Sequence, residues 1–342
     1  MLEINLTELE NLLGALKGGV SSKNNGFDLL YFSDKKISTF NDEVAVSADF
    51  NSLVTALVPF NEFYDAVKKL NKTEPTAMLD RVDMNTLLLK VKRAQLAFTV
   101  VQDDTAAERY SIPTEQLDKA KWYDLPENFA EIMASAAACA STNRTTYMLT
   151  CVYIHRHDIF GADLTSAYWA QVPENLETMA INNKHVKSIL QINPDKYTCT
   201  ESFYHFLNSD YNCIMSVRRV NGTYPDYKKF FEVTGSTVTY NPDEAKKALE
   251  LASVLVAKDE NVKVTAKQMK NDVFMYVQGS STKGNSQSRF AVSIDSGKLP
   301  SFAAPPAVLK RCFEQADTFI VSNSVLKCDL QDGSYVISLT QE

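Results

Sequence analysis

The sequence predicts an α+β chain of three tandem domains, each with two helices packed on antiparallel strands. Three observations carry this. One order of elements, helix, strands, helix, strands, occurs three times along the 342 residues. The second helix of each set begins near residues 60, 182 and 305, a period of about 120 residues, which is too long for a solenoid and suits whole domains. The composition is that of an ordinary globular protein, with 45% hydrophobic and 23% charged residues, 11 Gly and 11 Pro, which excludes disorder and collagen-like repetition.

In the first set, Leu6, Leu9, Leu12, Leu13 and Leu16 share one helical face, and Gly18-Gly19 stops the helix. Strand-like runs follow at 27–32 and 37–40, around the polar turn Asp34-Lys35-Lys36, and at 43–50, where Val44, Val46 and Ala48 alternate. A second amphipathic helix covers about 59–70 with Phe60, Phe63, Val67 and Leu70 on its apolar side, and strands at 77–79, 86–91 and 95–101 close the set. The middle set opens on a helix carrying Phe129, Ile132, Met133, Ala136 and Ala140. A strand at 147–154, a turn at 155–158 and two more strands reaching 172 come next. Its second helix turns Val186, Ile189 and Leu190 inward, before strands at 197–200, 203–207 and 213–220. The last set starts at Pro242-Asp243-Glu244, a helix-opening signal, with Ala245, Ala248, Leu249, Ala252 and Leu255 on one face. Strands at 262–266, 273–278 and 290–294, a helix with Val308, Leu309, Cys312 and Phe313, and strands at 318–321, 325–330 and 334–339 end the chain. Domains are expected at 1–115, 116–233 and 234–342, with extended linkers in the polar stretch 114–119 and near Gly235.

The charge balance, 35 basic against 42 acidic residues for a net −7, excludes a protein that holds nucleic acid by bulk positive charge. A locally basic surface stays open. The six cysteines, Cys139, Cys151, Cys199, Cys213, Cys312 and Cys328, show no Cys-x-x-Cys pair and sit mostly in apolar runs, as reduced core thiols of a cytoplasmic protein do. The first residues have neither a basic n-region nor an apolar h-region. No stretch reaches the roughly 18 apolar residues of a membrane span.

Candidate chemistry is thin. His155-Arg156-His157-Asp158 is the one histidine cluster, but alternate residues on an extended turn do not converge on a metal, and a solvated hairpin tip is expected. Asp80 and Asp83, or Asp103-Asp104, have no partner base. No Gly-x-Gly-x-x-Gly, phosphate loop, Gly-x-Ser-x-Gly or His-Glu-x-x-His occurs, so neither an enzyme nor a bound cofactor or metal is expected.

Basic residues recur on the helices, off the apolar stripes: Lys17 on the first, Lys68, Lys69 and Lys72 on the second, Lys184 and Lys187 on the fourth, Lys246 and Lys247 on the fifth, Lys310 and Arg311 on the sixth. The third helix, with Glu127, Glu131 and Ser135, is the exception. The run Val220-Asn221-Gly222-Thr223-Tyr224-Pro225-Asp226-Tyr227-Lys228-Lys229-Phe230 is similar to the glycine-x-phenylalanine-proline-aspartate-tyrosine-arginine-arginine segment that ends the second domain of bacterial DNA sliding clamps. Gly161-Ala162-Asp163 stands where that family has alanine-threonine-aspartate, and Tyr335-Val336-Ile337 where its last strand runs to the C-terminus. With the threefold repeat, these segments make the chain resemble the bacterial DNA sliding clamp, the beta subunit of DNA polymerase III, and its phage-encoded relatives.

The resemblance implies a closed head-to-tail homodimer around duplex DNA, bound without regard to sequence and facing the basic helices. Its contact would bring Leu96 and Phe98 of one copy against Val254 and Leu255 of the other. It also implies a groove where the replicative polymerase and the clamp loader dock short peptides, formed by Tyr147, Ala162, Leu164, Pro225, Lys229, Phe230, Val336, Ile337, Ser338 and Leu339. Two departures stand out: Leu164-Thr165-Ser166 replaces the family's glycine-histidine-arginine, and the final methionine-proline-methionine is missing. They fit a divergent clamp serving its own polymerase, as a phage would encode. Two other readings stay open, a structural or adhesive tandem-domain protein without a DNA role and an enzyme with an interdomain site. The first would scatter its basic residues, and the second would need convergent polar groups.

Overall fold

A computed structural model describes residues 2–21, 28–33, 35–257, 260–295 and 298–340. Phe27 and Asp34, named above in a strand and a turn, lie outside the described residues. Two units share the chain, Met1–Ala130 with Lys184–Asn221 and Glu131–Asn183 with Gly222–Glu342. The first stretch holds β1 (Leu2–Asn5), α1 (Leu6–Leu16), β2 (Leu29–Phe32), β3 (Lys36–Phe40), β4 (Val44–Asp49) and β5 (Ala56–Pro59). It continues with α2 (Phe60–Leu70), β6 (Thr76–Asp83), β7 (Thr86–Val91), β8 (Ala94–Thr99), α3 (Ala106–Ser111) and β9 (Tyr123–Asp124). The chain passes into the other unit through α4 (Phe129–Cys139), β10 (Cys151–Ala162) and β11 (Ser166–Asn182). It returns with α5 (Asn183–Gln191), β12 (Lys196–Cys199), β13 (Phe203–Asn208) and β14 (Cys213–Arg218). The remainder is β15 (Ser236–Tyr240), α6 (Pro242–Ser253), β16 (Val262–Met269), β17 (Asp272–Ser281) and β18 (Gly284–Ile294). After it come β19 (Ser301–Ala304), α7 (Pro306–Gln315), β20 (Thr318–Val321), β21 (Val325–Leu330) and β22 (Gly333–Ser338).

The first unit has two antiparallel sheets, a four-stranded one ordered β1-β6-β7-β8 and an eight-stranded one ordered β5-β2-β3-β4-β14-β13-β12-β9. α1 starts where the Asn5 side chain accepts from the Thr7 and Glu8 N–H groups, and all five leucines of its stripe are buried. Each such leucine contributes about 1.5–3 kcal/mol relative to exposure. Phe63 of α2 packs edge-on against Phe32 at 5.4 Å, which seats the helix on the larger sheet. That sheet is completed from far along the chain, since Val44 to Ala48 pair with Val217 to Cys213. The stretch 114–119 expected as an extended linker is instead partly wound, with short 3₁₀ turns at Ile112–Thr114 and Leu117–Lys119; α3 precedes it, and its Tyr110 is buried against Tyr31 at 5.0 Å.

His205 on β13 is fully buried, and its two ring nitrogens share hydrogen bonds with Ser216 Oγ at 2.8 Å and Thr200 Oγ1 at 3.0 Å. Burial pushes its pKa down from 6.5 to about 4. An unfolded imidazole therefore takes up a proton below about pH 6.5 that the folded one refuses until about pH 4, so stability falls with acidification in that window. Between pH 7 and pH 5 the expected loss is about 1–2 kcal/mol. Urea melts at both pH values should show it, and His205→Asn should flatten it; an equal slope in the variant would assign the loss elsewhere.

The second unit has one ten-stranded antiparallel sheet, ordered β10-β11-β22-β21-β20-β15-β18-β17-β16-β19. Tyr240 meets Phe290, Phe313 and Phe319 at 5.8, 5.6 and 5.5 Å, and this aromatic cluster fixes α7 to the sheet. α6 begins as expected, with Asn241 accepting from the Glu244 N–H and Pro242 in the first turn. It ends at Ser253, so Val254 and Leu255 lie just beyond the helix rather than on it. Of the six cysteines, all free thiols, five are buried and Cys199 is half-buried.

Three expectations for this unit need correction. Residues 144–150 form a 3₁₀ turn before β10 rather than the start of a strand. The expected turn at 155–158 is strand: β10 runs through it, with register shifts on both sides of Arg156, whose φ is 55°. The tip of the hairpin falls instead at Asp163-Leu164-Thr165, where Asp163 Oδ1 accepts from the Thr165 and Ser166 N–H groups. Gly161 is required there, because a Cβ would stand 2.0 Å from the Ala136 carbonyl oxygen of α4.

Candidate partner groove and basic helices

Within the second unit, the β10–β11 hairpin tip, the 222–231 segment and the β21–β22 edge enclose a groove of about 450 Å3. Of the residues expected there, Ala162, Leu164, Pro225, Phe230, Val336, Ile337 and Ser338 line it. Tyr147, Lys229 and Leu339 do not. Tyr147 sits in the 3₁₀ turn, and Leu149 faces the groove in its place, because three residues per turn break the alternation a strand would have had. Lys229 points to solvent and pairs with Asp226 at 3.4 Å. Leu339 is buried and its N–H donates to the Ser324 carbonyl oxygen. Thr165 and Ser166, the departures noted above, line the groove as well, and so do Phe160, Asp163, Ala167, Tyr224, Tyr227, Ser324 and Val325, which are not among the residues expected there.

Its walls are apolar and exposed, with Leu164 73% and Phe230 59% accessible, over a buried aromatic floor. Phe160 stacks on Tyr227 at 4.2 Å, and Tyr224 on Tyr153 at 4.7 Å. A buried carboxylate anchors this floor. Asp158, 5% exposed, accepts from Trp169 Nε1 at 2.9 Å and Gln171 Nε2 at 3.1 Å on one oxygen. On the other it accepts from Tyr227 Oη at 3.2 Å and pairs with Lys228 Nζ at 2.8 Å. Burial alone would raise its pKa, but hydrogen bonds from Lys228, Trp169 and Gln171 and the lysine charge outweigh it and hold the carboxyl below its ordinary range. Burial and the Asp158 charge push the Tyr227 phenol well up, so it stays a donor. The solvated tip expected for Asp158 is therefore corrected to a buried anchor; its partners sit on β11 and in 227–228, which no local pattern reveals.

Among the basic residues, Lys17, Lys68, Lys69, Lys72, Lys184, Lys187, Lys247 and Lys310 are exposed. Lys184 is paired with Glu43, and Lys246, half-buried, with Glu314 at 2.9 Å. Arg311 departs from the expected outward position. Its guanidinium lies 4.9 Å from the Tyr168 ring and 5.3 Å from the Tyr335 ring, and Nη1 donates to the Ser135 carbonyl oxygen at 2.9 Å. It ties α7 to α4 and the sheet. Leu96 and Phe98 are half-buried on β8, the edge strand of the four-stranded sheet. In the second unit, β15 pairs only with Val292, Ser293 and Ile294 of β18. Gly284 to Ala291 therefore present one edge without a strand partner among the described residues. Val254 is 73% exposed, and Leu255 lies beside Gly284 at this edge.

No protein-family model matches the chain, and no curated protein does. Solved structures match over the full length. A DNA polymerase sliding clamp from Bacillus subtilis gives a TM-score of 0.84 at 14% identity, covering 99% of this chain and 98% of that one. DNA polymerase III beta chain from Streptococcus pneumoniae TIGR4 gives 0.83 at 14% identity, covering 99% of both chains. DNA polymerase III beta subunit from Thermotoga maritima gives 0.78 at 16% identity, covering 100% of this chain and 99% of that one. The chain has the sliding-clamp fold, α+β and built of tandem domains on antiparallel sheets.

Proposed function

We propose that the chain is a DNA sliding clamp, a processivity factor with no catalytic step of its own, which encircles duplex DNA and tethers a replicative polymerase. The full-length likeness of fold carries this reading. The physics agrees with it, because a closed ring retains DNA by topology and needs only mildly basic helices inside a net acidic chain. In this proposal the domains are 1–115, 116–233 and 234–342, and two copies join head to tail. Two open strand edges support the junction: β8 of one copy would extend the free edge of β18 in a second, with Leu96 and Phe98 against Val254 and Leu255. The groove would take a short peptide from the polymerase or clamp loader. Leu164-Thr165-Ser166 at its rim favours a cognate rather than a cellular partner, as for a cytoplasmic phage replisome.

The test is retention. Loaded on nicked circular DNA, the protein should survive a high-salt wash and be lost once the circle is linearised. Loss from both substrates alike would overturn the reading in favour of a structural or adhesive role, and sedimentation as a monomer at micromolar concentration would exclude the ring. Replacing Lys68, Lys69, Lys184, Lys187 and Lys310 by alanine should weaken loading, flattening the salt dependence by about 0.9 or less for each phosphate no longer neutralised. An unchanged salt slope would mark them as plain surface charge.

A further inference from the structure

The outward face of β16, β17 and β18 differs from the rest of this acidic chain. The three strands carry a single carboxylate, Asp272, which sits at the hairpin end opposite Met269. Strand alternation turns Val264, Met275 and Val277 into the core and leaves Lys267 beside Phe274, and Tyr276 beside Arg289, on the outer face. The Arg289 guanidinium lies 4.7 Å from the Phe274 ring centroid and 5.8 Å from that of Tyr276, and Nη1 donates to Tyr276 Oη at 2.9 Å. Lys267 Nζ is 5.1 Å from the Tyr276 centroid. Neither cation has a carboxylate within ion-pair distance among the described residues. Both rest on rings instead.

We propose that this face binds single-stranded nucleic acid without sequence preference. A guanidinium lying over an aromatic ring offers its second planar face and its remaining N–H donors outward, which is what an unstacked base and its phosphate need. Lys267 lies on the same ring as a second phosphate contact, one strand away. Farther along the row Gln278 and Gln287, bonded to each other at 2.6 Å, add polar groups without charge. A duplex hides its base planes inside the stack, and an acidic peptide has charge but no planes, so both use only part of this surface. The proposal draws on one sheet face of the second unit and does not rest on the clamp reading.

The test is fluorescence anisotropy of the full-length chain with a labelled 20-nucleotide oligothymidine at low salt. Lys267→Ala combined with Arg289→Ala should weaken binding at least tenfold and flatten the log–log salt slope by about one unit. Tyr276→Leu, which keeps apolar bulk and removes the stacking plane, should weaken it severalfold if the arginine variant proves unstable. Lys35→Ala with Lys36→Ala, two exposed lysines of the first unit, should leave binding within twofold. An unchanged affinity in both platform variants would overturn the proposal. So would equal competition by polyglutamate, which would make the face an acidic-peptide surface, or by duplex, which would reduce it to phosphate attraction. Retention on circular duplex should be unaffected by Lys267→Ala or Tyr276→Leu, which lie on β16 and β17 away from the β18 edge, and this keeps the result separate from that of the ring experiment.

Discussion

Asp158→Ala should destabilise the second unit by about 2–3 kcal/mol, because the carboxylate is buried whereas its Lys228 partner is half exposed and is resolvated when the pair is lost. The change strips four donors of their acceptor at once: the Trp169 indole, the Gln171 amide, the Tyr227 hydroxyl and the Lys228 ammonium. The exposed Lys228 and Gln171 are resolvated, whereas the buried Tyr227 hydroxyl loses its acceptor away from solvent. Its thermal transition should drop by roughly 10 °C. The pH dependence has a fixed sign. Because the folded carboxyl titrates below the roughly 3.9 of an unfolded one, its contribution is complete at neutral pH and disappears as pH falls through the folded value. The gap between wild type and variant should therefore be constant from pH 7 to pH 5 and narrow under strong acid. A variant melting within 2 °C of wild type would mean that water already satisfies these donors.

Phe230→Ala should weaken a peptide from the cognate polymerase by at least thirtyfold, corresponding to roughly 2 kcal/mol, while leaving the oligomer intact. Phe230 is suited to this because it is more than half exposed while Tyr227, which lines the same groove, is fixed by Asp158. An anchor on a rigid floor loses little freedom on binding. Titration calorimetry with the peptide, set beside sedimentation of the variant, separates the groove from assembly. If Phe230→Ala lowers the melting temperature and no polymerase-derived peptide binds the wild type, the residue packs the fold and partners dock elsewhere. A cellular clamp-binding peptide should bind more weakly than the cognate one, since Thr165 and Ser166 stand at the rim, and equal tight binding would refute that preference.

The helices are legible in the sequence because their apolar spacing is dense: the leucines of α1 and the Phe60-Phe63-Val67 stripe of α2 admit one face each. Short edge elements are not. β1, Leu2–Asn5, carries too few residues for a pattern and owes its strand to pairing with β6. β10 escapes such a reading because polar residues at 155–158 look like a turn, whereas a bulge at Arg156 lets the strand carry them through. The groove is readable at Pro225, Phe230 and the 336–338 strand, where a local motif resembles a known one. Asp158 is not, because what makes it an anchor is its distance in sequence from Tyr227 and Lys228. Arg311 fails for the same reason, since the rings of Tyr168 and Tyr335 are invisible from α7.

The sheets have a consequence for the order in which the chain folds. Val44 must wait for Val217, and Ser166 for Ile337, so neither sheet closes from neighbours in sequence. Such long-range pairings slow folding, since each closes a large loop before it is rewarded. During synthesis, the β11 segment from Ser166 to Trp169 stands as an unpaired edge, with the rings of Tyr168 and Trp169 on it, until β22 emerges. A nascent chain interrupted in that interval offers a ready template for a second copy, so its stalled forms should dimerise by strand exchange or aggregate.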